Sequence, residues 1–111
     1  MSLFDKRSQV YGPETFSMGE FDVNADGYYR NVVTVPIDTK PRRMLYVKVA
    51  SDALVDVVVA KEDRSSAMHK EHVTDAVLGP IPTEKSHSMG VIIGVFRGDR
   101  ANVTLEVWMD R

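Results

Sequence analysis

The stretch Asn102–Met109, which reads NVTLEVWM, carries an apolar side chain at every second position. Two sets alternate along it, Val103, Leu105, Val107 and Met109 against Asn102, Thr104, Glu106 and Trp108. Successive side chains of a β-strand point to opposite faces, so a period of two predicts a strand with one buried face and one wetter face. Met44–Ala50 repeats this pattern and is predicted to be a second such strand.

Two further runs are apolar on both faces, namely Leu54–Ala60, which Asp56 interrupts, and Gly90–Phe96. Such runs are typical of strands in the middle of a sheet that are covered on both sides. Their β-branched residues also disfavour a helix. Thr15–Val23 and Tyr28–Ile37 supply two more predicted strands.

Glycine-containing loops separate several of these strands. The loop at 24–27, which reads NADG, is expected to close a hairpin between the first two strands. The loop at 98–101, which reads GDRA, is expected to close another between the last two. Gly79–Pro82 cannot continue a helix or lie in a central strand, because proline donates no backbone hydrogen bond.

Six strands joined by short turns predict an all-β fold, and we expect an antiparallel β-sandwich of jelly-roll-like form. One short helical crossover is expected near residues 63–76, where Ser65 or Ser66 would cap a helical turn. At 111 residues the chain has room for one hydrophobic core. We therefore expect an N-terminal arm over residues 1–14 and a single domain over residues 15–111.

The composition excludes several classes of partner. Fourteen basic and sixteen acidic residues leave a formal charge of -2, so no strong field favours nucleic acid. No run of eighteen apolar residues is present, which argues against insertion into a membrane by a helix. The chain has no cysteine, and its charged first twelve residues do not resemble a signal peptide, so a cytoplasmic location is predicted.

The order of the apolar segments resembles a known kind of domain. Phe21–Tyr29, Val32–Val35, Leu45–Val49, Val55–Val59, a charged crossover, Val91–Phe96, a turn and Val103–Trp108 follow one another along the chain. This succession is similar to that of the GOLD-type β-sandwich domains and of the prepeptidase C-terminal type. The resemblance covers roughly residues 15–109 and implies a non-catalytic module that binds proteins, lipids or glycans.

Two clusters have the residue types of metal ligands. Asp22, Asn24 and Asp26 with Gly27 match the start of a calcium loop, but Val33 stands where an EF-hand needs a carboxylate. We interpret this loop as a hairpin turn, with a weak calcium site as the alternative. His69 and His72 would share one face of a helical turn, with His87 as a third zinc ligand, but a charged crossover explains them without metal. No cofactor and no metal site is predicted.

The sequence indicates no catalytic group either. Ser86-His87-Ser88 brings serine and histidine together, but no nucleophile elbow and no glycine-rich phosphate loop is present. Asp56 stands within an otherwise apolar strand, so it either points outward or is buried with a partner. We predict that the chain is not an enzyme; a cupin-like enzyme that uses the histidines is the least favoured alternative.

Aromatic residues provide the remaining candidates for contact with a ligand. Trp108 falls on the polar side of its predicted strand, and the other aromatic candidates are Tyr28, Tyr29, Tyr46 and Phe96. The sequence thus predicts a non-enzymatic binding or assembly module for a protein partner or its own copy, with Tyr28, Tyr29, Trp108 and Asp56 as candidate contact residues. The alternative is a jelly roll that binds a carbohydrate or another small ligand, with or without calcium.

Overall fold

The computed structural model describes residues 7–23, 29–96 and 99–110, with side chains other than those at 7, 20–23 and 29–30. Seven strands account for most of this part of the chain, and none of it is helical. The strands are β1 (Arg7–Val23), β2 (Tyr29–Arg30), β3 (Val32–Asp38), β4 (Met44–Ala60), β5 (Ser66–Pro82), β6 (Ser88–Val95) and β7 (Arg100–Asp110).

All seven strands belong to one antiparallel sheet. Its order is β2-β1-β7-β4-β6-β3, and β5 pairs with the other edge of β4. The strand β4 is the centre of the sheet, because it pairs with β5 along most of its length and with two more strands on its opposite edge. Residues 45–51 of β4 pair with β7, and residues 55–60 pair with β6.

A bulge in β4 divides the sheet into two halves. Between the pairs Ala50–Asp75 and Val55–Val73, β4 has four residues whereas β5 has only Thr74. Extra residues in one strand bend the pair and increase its twist. We call the part with β1, β2, β7 and residues 44–51 of β4 the first half, and the part with β3, β6 and residues 55–60 the second half.

Both halves bury the same face of the sheet. The inward side chains of β4, β6 and β7 alternate with outward ones and form one core. Its members in these strands are Leu45, Val47, Val49, Val55, Val57, Val59, Met89, Val91, Ile93, Ala101, Val103, Leu105, Val107 and Met109. The alternation predicted for Asn102–Met109 and Met44–Ala50 is therefore confirmed.

The sheet curls so that the strands at its two ends approach each other. β2 pairs with β1 at one end of the strand order, β3 pairs with β6 at the other, and Asn31 alone separates β2 from β3 along the chain. β1 and β3 also approach within 8 Å between Cα atoms. The result is a curled, half-barrel-shaped sheet that encloses its core.

The all-β, antiparallel prediction is confirmed, the β-sandwich is not confirmed, and the predicted helix is absent. A sandwich of two separate sheets is not what the strand pairing gives, because β4 and β5 run through both halves. The helical crossover at 63–76 is absent, because these residues form most of β5, which pairs with β4 from Ser66 onward. Pairing with a long neighbouring strand outweighs the weak helical pattern of this polar segment.

Two other expectations on the connections need comment. The predicted hairpin at 98–101 is wrong, since β6 and β7 are not neighbours and β4 lies between them. β1 begins at Arg7, within the segment assigned to the N-terminal arm. The prolines of Gly79–Pro82 lie in β5, which has β4 as its single partner in the described sheet, in agreement with the rule that strand prolines occupy edges.

Candidate functional site

Trp108 lies on the outward face of the first half. It is half-buried, and its Cα partners across the sheet are Tyr46 of β4 on one side and Gln9 of β1 on the other. Its chain neighbours Val107 and Met109 are buried in the core, so Trp108 and Tyr46 must point away from it. The outward position predicted for Trp108 is therefore what the strand pairing gives.

Two exposed apolar side chains flank this aromatic pair. Met44 is two residues before Tyr46 and 38% exposed, and Val77 of β5 lies opposite Lys48 and is 52% exposed. We call the outward surface with Met44, Tyr46, Val77 and Trp108 the aromatic face. An outward sheet face is ordinarily polar, so a large apolar set in this position requires an explanation.

Charged groups of both signs surround the aromatic face. Lys48 and Glu106 are Cα partners directly beside it, on β4 and β7. Asp110 lies at the end of the face, and its Oδ1 accepts a hydrogen bond from the backbone N–H of Met44 at 2.7 Å. The middle of the face is apolar. Its rim carries charges of both signs, which form neither an acidic nor a basic cluster.

A second apolar set, which we call the bend patch, lies on the outward face of the second half. The rings of His72 and Phe96 stack with centroids 5.1 Å apart and an angle of 16° between their planes. Phe96, Leu54 and Val32 are 44%, 47% and 60% exposed. Phe96, Leu54 and Val32 lie close together because β6 pairs with both β3 and β4 near its end at Val95.

Asp56 stabilises the backbone of the bend patch. It lies on the outward face of β4, half-buried, and its Oδ1 accepts a hydrogen bond from the backbone N–H of His72 at 2.9 Å. His72 is at a β5 bulge with φ of 54°, a left-handed conformation that few residues other than glycine adopt. Asp56 thus stabilises the strained backbone of His72, so we assign Asp56 a supporting role in the fold.

The candidate metal ligands do not converge. His69 and His72 lie on the exposed strand β5, and His87 lies in the turn between β5 and β6. Within the described ranges, no group of three histidine, aspartate or glutamate side chains is arranged to hold a metal ion. Residues 24–28, which include most of the calcium-like loop and the contact residue Tyr28, lie outside the described residues, and so do the side chains of Asp22 and Tyr29.

Three turns, at residues 39–43, 61–65 and 83–87, meet at the end of the molecule opposite the bend. Two buried threonines join the first of these turns to the last. Thr83 donates to the carbonyl of Lys40 at 2.7 Å and accepts from the N–H of Arg43 at 2.9 Å. Thr39 donates to the carbonyl of Ser86 at 2.8 Å. An open groove of about 580 Å³ lies at this end, lined by Lys61, Glu62, Asp63, Glu84, Lys85 and Ser86.

The polar groups of this groove are occupied by contacts within the chain. Glu62 accepts hydrogen bonds from the backbone N–H groups of His87 and Ser88, and Lys61 pairs with Glu84 at 3.5 Å. The side-chain hydroxyl and then the backbone N–H of Ser65 lower the pKa of Asp63. The contacts of Glu62 and Lys61 fix the turn at 61–65 to the turn at 83–87.

Asp52 has a lowered pKa at the bend of β4. The backbone N–H of Asn102 donates to Oδ1 at 2.8 Å, and the Asn102 side-chain amide donates to Oδ2 at 2.9 Å. Both bonds favour the charged carboxylate, and they are the largest causes of the lowered pKa. The contact joins β4 to β7 where β4 leaves the first half.

Replacing Asp52 with asparagine is therefore expected to have an effect that depends on pH. Because the folded pKa lies below the ordinary aspartate value of 3.8, the unfolded chain binds the proton first as the pH falls. The stabilisation by the charged Asp52 carboxylate is present above pH 3.8, and it is lost as the pH falls through the folded pKa. Melting temperatures should be higher for the wild type than for Asp52→Asn at pH 7. An unchanged difference at pH 2.5 would contradict the assignment.

The free edge of β5 is poorly shaped for pairing with another strand. Its register with β4 shifts near Ala67, His72 and Gly79, so the edge is bulged along its length. Pro80 and Pro82 supply no N–H, and the Lys70 ammonium donates to the carbonyl of Val77 at 3.3 Å. Bulges, prolines and lysines are the devices by which edge strands avoid pairing.

No family model matches this chain, and no curated protein matches it. Among solved structures, the fold is similar to that of Aeromonas hydrophila PliG, a periplasmic lysozyme inhibitor of g-type lysozyme. The TM-score is 0.57 at 13% identity, over 95% of this chain and 87% of that one. A family two carbohydrate esterase from Cellvibrio japonicus is matched over 33% of its length, with a TM-score of 0.41 and 13% identity. Likeness at this identity shows the fold alone.

Met44 and Val77 were missed as surface residues by reasoning from the sequence. The residues before Val77 were assigned to a helix, so no strand placed its side chain beside Lys48. Met44 precedes the buried Leu45 in a strand of alternating pattern, and that alternation is the one available signal for its exposure.

Proposed function

We propose that this chain is a non-enzymatic binding module, that its partner is a protein chain, and that the partner docks on the aromatic face. The observation that carries the proposal is the position of Trp108 and Tyr46 as cross-strand partners on the outward side of the sheet, flanked by exposed Met44 and Val77. These side chains are not members of the buried core, so their apolar area is better explained by a contact with a partner.

The residue types of the aromatic face match those that dominate binding energies. Tryptophan, tyrosine and methionine are enriched in the centres of protein interfaces, and charged residues surround such centres as a rim. Lys48, Glu106 and Asp110 occupy rim positions here. The face is also supported from below by the fully buried Val47 and Val107, so it is held rigid before a partner arrives.

The solved structure of similar fold supports a protein partner. PliG inhibits g-type lysozyme, and a fold of this shape can therefore serve a protein that acts by binding another protein. A g-type lysozyme is accordingly the first named protein to titrate against this chain. The cytoplasmic location remains a prediction, whereas PliG is a periplasmic protein. Fractionation of cells that express the chain would distinguish a cytoplasmic location from a periplasmic one.

Photo-crosslinking from the aromatic face tests the proposal directly. Benzoylphenylalanine placed at Val77 is expected to give a covalent adduct with a protein in the native cell, whereas the same group at Val32 is not. The two positions are matched, since both are valines on strands and are 52% and 60% exposed. Mass spectrometry of the adduct identifies the partner.

The control position also decides between the two apolar surfaces. Adducts at Val32 without adducts at Val77 would show that the bend patch is the docking surface, and the proposal for the aromatic face would be wrong. The absence of adducts at both positions would contradict a protein partner altogether.

A carbohydrate ligand is the second candidate, and one observation favours it. The two aromatic residues lie side by side on an open sheet surface, with Gln9, Lys48 and Glu106 as adjacent hydrogen-bonding groups. Aromatic faces of this kind can pack against sugar rings. Titration of glycans followed by the fluorescence of Trp108 tests this alternative, because this is the one tryptophan of the chain.

A further inference from the structure

We infer that the partner of the aromatic face is a second copy of this chain, so that two copies associate face to face. This inference rests on the proposed function and names the occupant of the same surface. Its basis is the charge pattern of the face, the shape of the β5 edge and the area that two such faces would cover.

The charges of the aromatic face are complementary to themselves. Lys48 and Glu106 lie side by side on β4 and β7, beside the aromatic pair. A two-fold axis that lies between the two facing sheets would place the Lys48 ammonium of each copy against the Glu106 carboxylate of the other. The dimer would then contain two such charge pairs. In an interface with two-fold symmetry the same patch serves both partners, so it must carry both members of each pair.

Association through the edge of β5 is disfavoured by the same structure. Adding a strand requires a row of free N–H and carbonyl groups in regular register. The register of β5 shifts near Ala67, His72 and Gly79, and the Lys70 ammonium occupies the carbonyl of Val77. A second copy is therefore directed to the face of the sheet.

The size of the face predicts a weak dimer. The three strands of the face, at a spacing of about 4.8 Å, and seven residues at about 3.3 Å give roughly 330 Å² for each copy. Two copies then cover about 670 Å², which is below the area of most stable interfaces. Association is consequently expected to depend on concentration.

Analytical ultracentrifugation of the purified full chain is the test. The wild type is expected to shift from 12.4 kDa toward twice that mass between about 10 µM and about 1 mM. Val77→Lys places a charge in the contact and is expected to raise the dissociation constant at least about tenfold. Val32→Lys changes a valine of similar exposure outside the face; it is the matched control and is expected to change the dissociation constant by less than about twofold.

Charge reversal identifies the contact itself. Lys48→Glu gives an acidic face and Glu106→Lys gives a basic one, so each variant alone is expected to remain monomeric at a concentration where the wild type dimerises. An equimolar mixture of the two variants is expected to restore the dimer. A mixture that stays monomeric would overturn the inferred pairing, as would a larger effect of Val32→Lys than of Val77→Lys. Circular dichroism of each variant confirms that it is folded.

The outcome separates this inference from the proposed function. A wild type that stays monomeric up to about 1 mM overturns the second copy as partner. The proposed function still stands in that case if the adduct at Val77 contains a different protein, and it falls if no adduct forms.

Discussion

Replacing Gly12 with alanine is expected to destabilise the fold by about 2–4 kcal/mol, from the cost of the left-handed backbone and of forced overpacking. Gly12 has φ of 73° in the bulge of β1, where side chains other than hydrogen are disfavoured. A Cβ at this position would overlap the carbonyl oxygen of Leu105 and lie 2.8 Å from the backbone nitrogen of Glu14. The backbone of β1 or β7 must therefore move, and the strand pairing there is weakened.

Gly90→Ala provides the matched control for this prediction. Gly90 is also in a strand, but a Cβ there would meet only the Cγ2 of Thr34 at 3.8 Å, an ordinary contact. Its effect is expected to be within about 1 kcal/mol. Urea unfolding followed by the fluorescence of Trp108 measures both variants. Equal effects of the two substitutions would mean that the close approach of β1 to β7 at Gly12 does not constrain the fold.

Leu105→Ala is the second substitution with a large expected effect, a loss of about 3–5 kcal/mol through lost burial and the cavity left behind. Leu105 is fully buried at the centre of β7, where its Cα partners are Glu14 of β1 and Val49 of β4. The strands on both sides hold the backbone in place, so the neighbouring side chains cannot collapse freely into the space. Small domains have total stabilities of about 5–15 kcal/mol, so this change removes a large part of the margin.

Val77→Ala tests the opposite expectation for the aromatic face. Val77 is 52% exposed, and truncation should change the free energy of unfolding by less than about 0.5 kcal/mol. Denaturant melts of the two variants compare the core with the outward face directly. A loss for Val77→Ala as large as that for Leu105→Ala would place Val77 in the core and remove the main argument for a docking surface.

The two apolar surfaces have different relations to the fold. The bend patch lies where β4 changes partners, and its stacked His72 and Phe96 are joined to a bulge that Asp56 supports. Part of its apolar area is therefore explained by the geometry of the bend. Trp108 and Tyr46 of the aromatic face lie in the regular pairing of β4 with β7, and the bulge beside Tyr46 belongs to β5, at Gly79. This difference makes the aromatic face the better candidate for a partner.

Part of the candidate site was accessible from the sequence. The outward direction of Trp108 followed from its place between Val107 and Met109, since alternation assigns each side chain to a face. That Tyr46 is its neighbour could not be inferred in the same way, because the register between two strands distant in sequence depends on how the whole sheet assembles. Val77 joins the site through a strand that the sequence did not indicate.

The strand β5 shows why the prediction failed there. Over residues 66–76 its apolar side chains are only partly buried and widely spaced, and its bulges near Ala67 and His72 interrupt the period of two. A segment at the edge of a sheet is stabilised by one neighbour, so polar side chains are tolerated along it. Local pattern alone cannot distinguish such a strand from a polar helix.

The sequence by itself determined that this chain is built from antiparallel strands with one buried face, because alternation is a local property of each segment and apolar side chains must leave water. The tertiary structure alone decided the partners of each strand, the bend that makes one sheet of two halves, and the meeting of Tyr46, Val77 and Trp108 on the outward face. Those features depend on contacts between residues far apart along the chain, and the free energy of such contacts is gained only when the entire sheet forms.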